Sequence, residues 1–144
     1  VLTTPGGTIT FNSDASDQFY LTEVSGLDGV PLRTPVDPVP FGDGGIVHDF
    51  WEGPRHVLME GVLLIESTRI QNSILTIRND MEEDLRVALA SIKRDDGTLA
   101  WTPLGQSSRT LTVRNEVQLE MRHIENYLLR SFTFGLIAAE PDWV

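Results

Sequence analysis

Arg55-His-Val-Leu-Met-Glu-Gly-Val-Leu-Leu-Ile65 carries apolar residues at both parities. In an extended chain Val57, Met59, Leu63 and Ile65 fall on one face, and Leu58, Val62 and Leu64 on the other, because successive side chains alternate. A strand apolar on both sides is expected to be buried on both, so the fold must cover each. One cover follows directly in the chain. Ser67 or Thr68 can cap a helix that runs to about Ile92. Ile70, Ile74, Ile77, Met81, Leu85, Leu89 and Ile92 recur at spacings of three and four and form one apolar stripe. Arg78, Glu82, Glu83, Asp84 and Arg86 fall mostly off it, so Asp80–Asp84 reads as a solvated face.

Outward from this pair, the chain alternates short strands with turns. Thr8–Asn12 and Phe19–Val24 read as strands joined by Asn12-Ser-Asp-Ala-Ser-Asp17. A long segment from Gly26 to Gly45 follows, with Pro31, Pro35, Pro38 and Pro40. Loops of this length inside compact domains commonly serve binding or assembly. Ile46–Phe50 resumes as a strand. Beyond the helix, Lys93-Arg-Asp-Asp-Gly97 predicts a turn with Gly97 at positive φ, and Thr98–Trp101 a short strand. Leu111, Val113, Val117, Leu119 and Met121 share odd parity against Thr112, Arg114, Glu116, Gln118 and Glu120, a strand or hairpin with one wet face. Phe132, Phe134, Leu136 and Ala138 point inward on the last strand, which Pro141 ends because it has no N–H to give. The expected fold is mainly β with one long α-helix: a β-sandwich-like core, an attached helix and a long Pro/Gly-rich loop.

The 144 residues are 40% hydrophobic and 22% charged, which suits one domain with a core rather than a disordered chain. Apolar runs such as Val62–Ile65 are far too short to span a bilayer. Cysteine is absent, which removes disulfides and thiolate chemistry. A net charge of −10 disfavours nucleic-acid binding, since phosphate contacts need a basic face. It suits either solubility or a surface past which a polyanion slides without sticking.

Chemistry has little support. His48, His56 and His123 lie on different elements and in no metal-ligating spacing. Ser107 and Ser108 lack a nucleophile elbow. Asp43, Asp95 and Asp96 sit in Gly-containing turns, and Asp43, Asp49 and Glu52 could form a hydrolase pair only by meeting in space. Trp51, Trp101 and Trp143 could stack on sugars, although core or interface packing is the commoner use. The expectation is no enzyme, no cofactor and no metal.

Four passages together resemble the N-terminal domain of the siphophage distal tail protein, the Dit-type hub. They are Leu27-Asp-Gly-Val-Pro-Leu-Arg33 with Asp43-Gly-Gly-Ile-Val47; Gly53-Pro-Arg-His-Val-Leu-Met-Glu-Gly61; the helix followed by Asp96-Gly-Thr-Leu-Ala-Trp101; and Phe132-Thr-Phe-Gly-Leu-Ile-Ala-Ala-Glu-Pro-Asp-Trp143. Glu140 stands where Asp is commoner in that family. The resemblance implies a structural virion component: a hexameric ring joining the tail tube to the tail tip or baseplate, with a channel for DNA. It implies partnership with the tail tube protein and tail-tip hub or baseplate proteins, assembly in the bacterial cytoplasm, and a place at the phage tail tip. Specific nucleic-acid binding and membrane insertion are not implied. Residues 1–144 are then a single ring-forming domain, without the galectin-like domain that follows in many relatives. Leu27, Val30, Pro31, Leu32, Arg33 and Phe41 become candidate interface residues. Gly44, Gly45, Arg55, Gly61, Asp96, Gly97, Trp101, Pro141 and Trp143 become motif residues. The alternative is a carbohydrate- or receptor-binding β-sandwich module.

Overall fold

The computed structural model describes residues 1–28, 32–33, 36–38, 45–47, 51–65, 71–124, 129–140 and 142–144, with backbone alone for 32–33, 36–38, 45–47, 51 and 71–72. The strands are β1 (Leu2–Thr4), β2 (Gly7–Ile9), β3 (Asp17–Ser25), β4 (Leu32–Arg33), β5 (Val36–Pro38), β6 (Gly45–Val47), β7 (Trp51–Glu52), β8 (Arg55–Ile65), β9 (Gly97–Trp101), β10 (Arg109–His123) and β11 (Arg130–Ala138). The one described helix, α1 (Gln71–Ser91), lies between β8 and β9. Seven strands make a single curled antiparallel sheet in the order β2-β1-β9-β10-β11-β8-β3.

β10 belongs to both halves of that sheet. Arg109–Val113 pair with β9, and Arg114–His123 pair with β11. Within the β11-paired stretch, irregularities at Asn115/Val117 and Val117/Glu120 each add a residue to β10, and extra residues of this kind bend and twist a strand. The first half-sheet is β2-β1-β9-β10; the second is β10-β11-β8-β3. Leu2, Ile9, Leu99, Leu111 and Val113 of the first share one buried cluster with Val57, Met59, Leu63, Phe132, Phe134 and Leu136 of the second. Past β2, Phe11 bridges to Phe19 of β3, which draws the sheet's two ends together. Its ring lies 6.1–6.3 Å from those of Phe19, Phe132 and Phe134.

The helix follows its sequence pattern. Leu85, Ala88, Leu89 and Ile92 are buried in the same cluster, while Ile74, Ile77 and Met81 are half-buried. The expected cap at Ser67 or Thr68, and Ile70, lie outside the described residues. At the other end the Ile92 carbonyl accepts from the Asn115 amide at 3.0 Å, which satisfies a group that a helix end leaves open. Ser91 Oγ donates to the Ala88 carbonyl and accepts from the Gly6 amide, tying the last turn to the β1–β2 hairpin. Glu82 accepts from both Arg86 (2.8 Å) and Arg130 (2.7 Å), and so fastens the helix to β11.

Three expectations need correction. β8 buries only one face: Val57, Met59 and Leu63 are inside, whereas Leu58 is 37% exposed and Val62 and Leu64 are half-buried. Gly97 does not take positive φ; it begins β9, where a Cβ would stand 2.8 Å from Ile92 Cγ2. Close packing explains that glycine. The long Pro/Gly segment is also not all loop: β4 and β5 within it pair with β7 and β6 at and beyond its end, nested as in a hairpin arm.

Candidate assembly surfaces

At one end of the curl, β8 begins with a buried arginine. Arg55 Nη1 donates to the carbonyls of Gly26 (3.1 Å) and Leu27 (2.8 Å), at the start of the arm. Its guanidinium also lies 5.7 Å from the Trp143 ring centre, within range of a cation–π contact. Trp143 Nε1 donates to the same Leu27 carbonyl, and its ring rests 5.8 Å from that of Trp101. Val144 pairs with Thr110 through both backbone bonds. Arm base, chain end and β9 are thus fastened at one point. A cavity of about 400 Å³ opens beside it, lined by Phe11, Leu21, Leu27, Met59, Leu99 and Trp101 among others. Trp101 and Trp143 turn toward each other here, and Arg55 lies against Trp143.

The second surface is the outward face of the second half-sheet. Strand register arranges it in rows. Leu58, Gly135 and Val117 form one row; Glu23, Glu60, Thr133 and Glu120 the next; Tyr20, Val62, Ser131 and Arg122 a third. Tyr20 and Val117 are each 46% exposed. Glu23 and Glu60 stand directly opposite, an arrangement that destabilises a sheet by like-charge repulsion. Glu120 accepts from Arg122 at 2.9 Å, and the His56 and Glu116 side chains meet at 2.6 Å. Arg114 meets Asp96 at 2.6 Å, and this bond and the carboxylate charge raise the arginine pKa.

The same half-sheet has two edges. On one side, β10 beyond Val113 has no strand next to it except β11 among the described residues. Next to the bond from the Asn115 amide to the Ile92 carbonyl, a cleft of about 190 Å³ is lined by Gln118 and Leu119 of this strand and by Arg86, Leu89 and Ala90 of α1. On the other side, among the described residues, β3 pairs with β8 and otherwise only through the bridge at Phe11.

The expected residues divide among these places. Leu27 is at the arm base, and Leu32 and Arg33 form β4 without described side chains. Val30, Pro31, Phe41, Gly44 and Pro141 lie outside the described residues, and Gly45 opens β6. Arg55, Trp101 and Trp143 meet at the fastening point; Asp96 pairs with Arg114 some distance along the sheet. Gly61 lets β3 approach, since a Cβ there would collide with the Tyr20 carbonyl and the Phe132 ring. Sequence reasoning did not single out Glu23, Glu60 and Glu120, which only strand register places in one row. His48, Asp43 and Asp49 are outside the described residues, and among the described ones no group of three His, Asp or Glu could hold a metal. No described helix is long and apolar enough to cross a membrane.

A curled antiparallel sheet with one helix inserted between β8 and β9 is an architecture already seen in a solved phage protein. The solved structure is that of the SPP1 Dit (gp 19.1) protein, described as a paradigm of the hub adsorption apparatus in phages infecting Gram-positive bacteria. It superposes with a TM-score of 0.59 at 18% sequence identity, over 98% of this chain and 51% of that one. The chain therefore spans about half the length of that protein, and the likeness is one of fold. No family model matches the sequence, and no curated protein matches it.

Proposed function

We propose that residues 1–144 act as a ring-forming subunit of a phage tail hub, six copies joining the tail tube to the tail tip or baseplate around a channel for DNA. The observation that carries this reading is the pair of edges on the second half-sheet. Its strands, in the order β10-β11-β8-β3, are each antiparallel to the next, so β10 and β3 run in opposite directions. Copies repeated by rotation then bring β3 of one beside β10 of the next, again antiparallel. Such head-to-tail contacts close into rings, and closure removes the free edges. Four strands from each of six copies, spaced about 4.8 Å apart, would enclose a bore at least about 37 Å across the backbone, the width for untilted strands. Three copies would leave about half that width, which excludes a duplex once side chains are added.

The core, the first half-sheet and α1 all lie on one side of these strands and fill the outside of the ring. The outward face then lines the bore. Glu23, Glu60 and Glu120 repeated around it would repel phosphates, and no counterion-releasing contact would hold the DNA. The Dit fold match and the four passages of sequence support the same reading, with the virion tail tip as its location. The test is native mass spectrometry and negative-stain imaging over a concentration series. Six-membered rings are expected; a chain that stays monomeric at every concentration, alone and with a tail tube protein, overturns the reading.

A further inference from the structure

Asn12 is the one non-glycine residue with positive φ among those described, at 51°, and it sits against the edge of β3. Its amide donates to the Phe19 carbonyl at 2.9 Å, and its Oδ1 accepts from the Leu21 amide at 2.8 Å. One residue thus occupies two neighbouring edge groups of β3, both facing away from β8. Phe11 anchors it from behind, wedged among Phe19, Phe132 and Phe134. Asn tolerates the left-handed conformation better than most residues, and its side chain can imitate a backbone acceptor. Covering an edge in this way is a known protection against unwanted strand addition.

We propose that Asn12 is an edge guard: it blocks the middle of β3 in the isolated subunit and is released when the β10 strand of a second copy takes its place. This rests on the ring reading above. The groups that Asn12 occupies are the ones an incoming strand needs, so assembly exchanges two bonds to Asn12 for bonds to the neighbour. The guard lowers the tendency of lone subunits to join edge to edge and leaves the ring accessible at high local concentration.

The experiment compares the wild type with Asn12→Gly, which keeps the left-handed backbone and lacks the acceptor, and Asn12→Asp, which keeps both. Amide exchange at Leu21 reads the guard directly, and sedimentation over a concentration series reads assembly. Loss of one hydrogen bond corresponds to about fivefold, so Leu21 in N12G should exchange about fivefold faster and half-assembly should come at a several-fold lower concentration. N12D should behave as the wild type. Unchanged Leu21 exchange in N12G, or rings that form at the same or a higher concentration than in the wild type, overturns the guard. Monomers in all three proteins overturn the ring and the guard's role in assembly together, whereas rings in all three at equal concentration defeat the guard alone.

Discussion

Replacing Arg55 by Met tests whether the fastening point at the arm base stabilises the fold. Arg55 is 4% exposed, and its contacts include the Gly26 and Leu27 carbonyls and the Trp143 ring. Two bonds from a charged donor contribute about 3–6 kcal/mol in total, and the ring contact adds about 1 kcal/mol. Against this stands the cost of holding a guanidinium out of water, several kcal/mol, which Met does not incur. Met also fills much of the space of the arginine stem. The net expectation is a loss of about 2–3 kcal/mol, because the Gly26 carbonyl is left without its donor. For a chain of this size that lowers Tm by about 5–10 °C. Urea unfolding followed by circular dichroism gives the free energy, and tryptophan emission should shift to the red as Trp143 loses its neighbour. Trp143→Phe combined with R55M should show a coupling of about 0.5–2 kcal/mol. Stability of R55M within about 0.5 kcal/mol of the wild type, or strict additivity with W143F, would refute the reasoning.

Further tests follow from the other contacts. Gly61→Ala should cost at least about 2–3 kcal/mol by chemical denaturation, since its Cβ meets the Tyr20 carbonyl, which cannot move aside. Gly105→Ala, at φ +74° with open space around it, should cost only about 1 kcal/mol. Glu82→Gln should lose about 1–3 kcal/mol because Arg130, 18% exposed, keeps its charge without its carboxylate; Glu120→Gln, whose pair with Arg122 is 63% and 77% exposed, should stay within about 0.5 kcal/mol. Replacing Glu23, Glu60 and Glu120 together by Lys should retard duplex DNA in a gel more than the wild type does, with the difference lost as salt is raised. Equal mobility of DNA with both proteins would remove the electrostatic role given to that face.

The sequence made the helix legible because its stripe is long and the spacing that defines it lies within one segment. Leu85, Leu89 and Ile92 lie where the spacing put them. β10 was less legible past Asn115, because the irregularities there change which side chains face inward. Val117 shares the parity of buried Leu111 and Val113 yet is exposed. The two-faced pattern of β8 suggests burial on both sides, yet only the face of Val57, Met59 and Leu63 is fully buried. Gly97 shows a second limit: a Gly after Asp-Asp suggests a turn conformation, while its actual demand comes from Ile92, a residue packed from the helix end. The carboxylate row and the Asn12 contact depend on register between distant strands, which local pattern does not carry. Arg55 and Trp143 were visible as motif residues, but their meeting across the fold was not.

β10 also has a mechanical consequence. The strand leaves one half-sheet and enters the other between Val113 and Arg114, and the amide of Asn115 just beyond holds the end of α1. A pull on its far end, near His123, is therefore delivered to β9, β11 and the helix together. Because the strand lies lengthwise along β11, such a pull loads many cross-strand bonds at once instead of opening them one by one. In a ring joined through this strand, stress from one subunit would pass into the core of the next without crossing a flexible link.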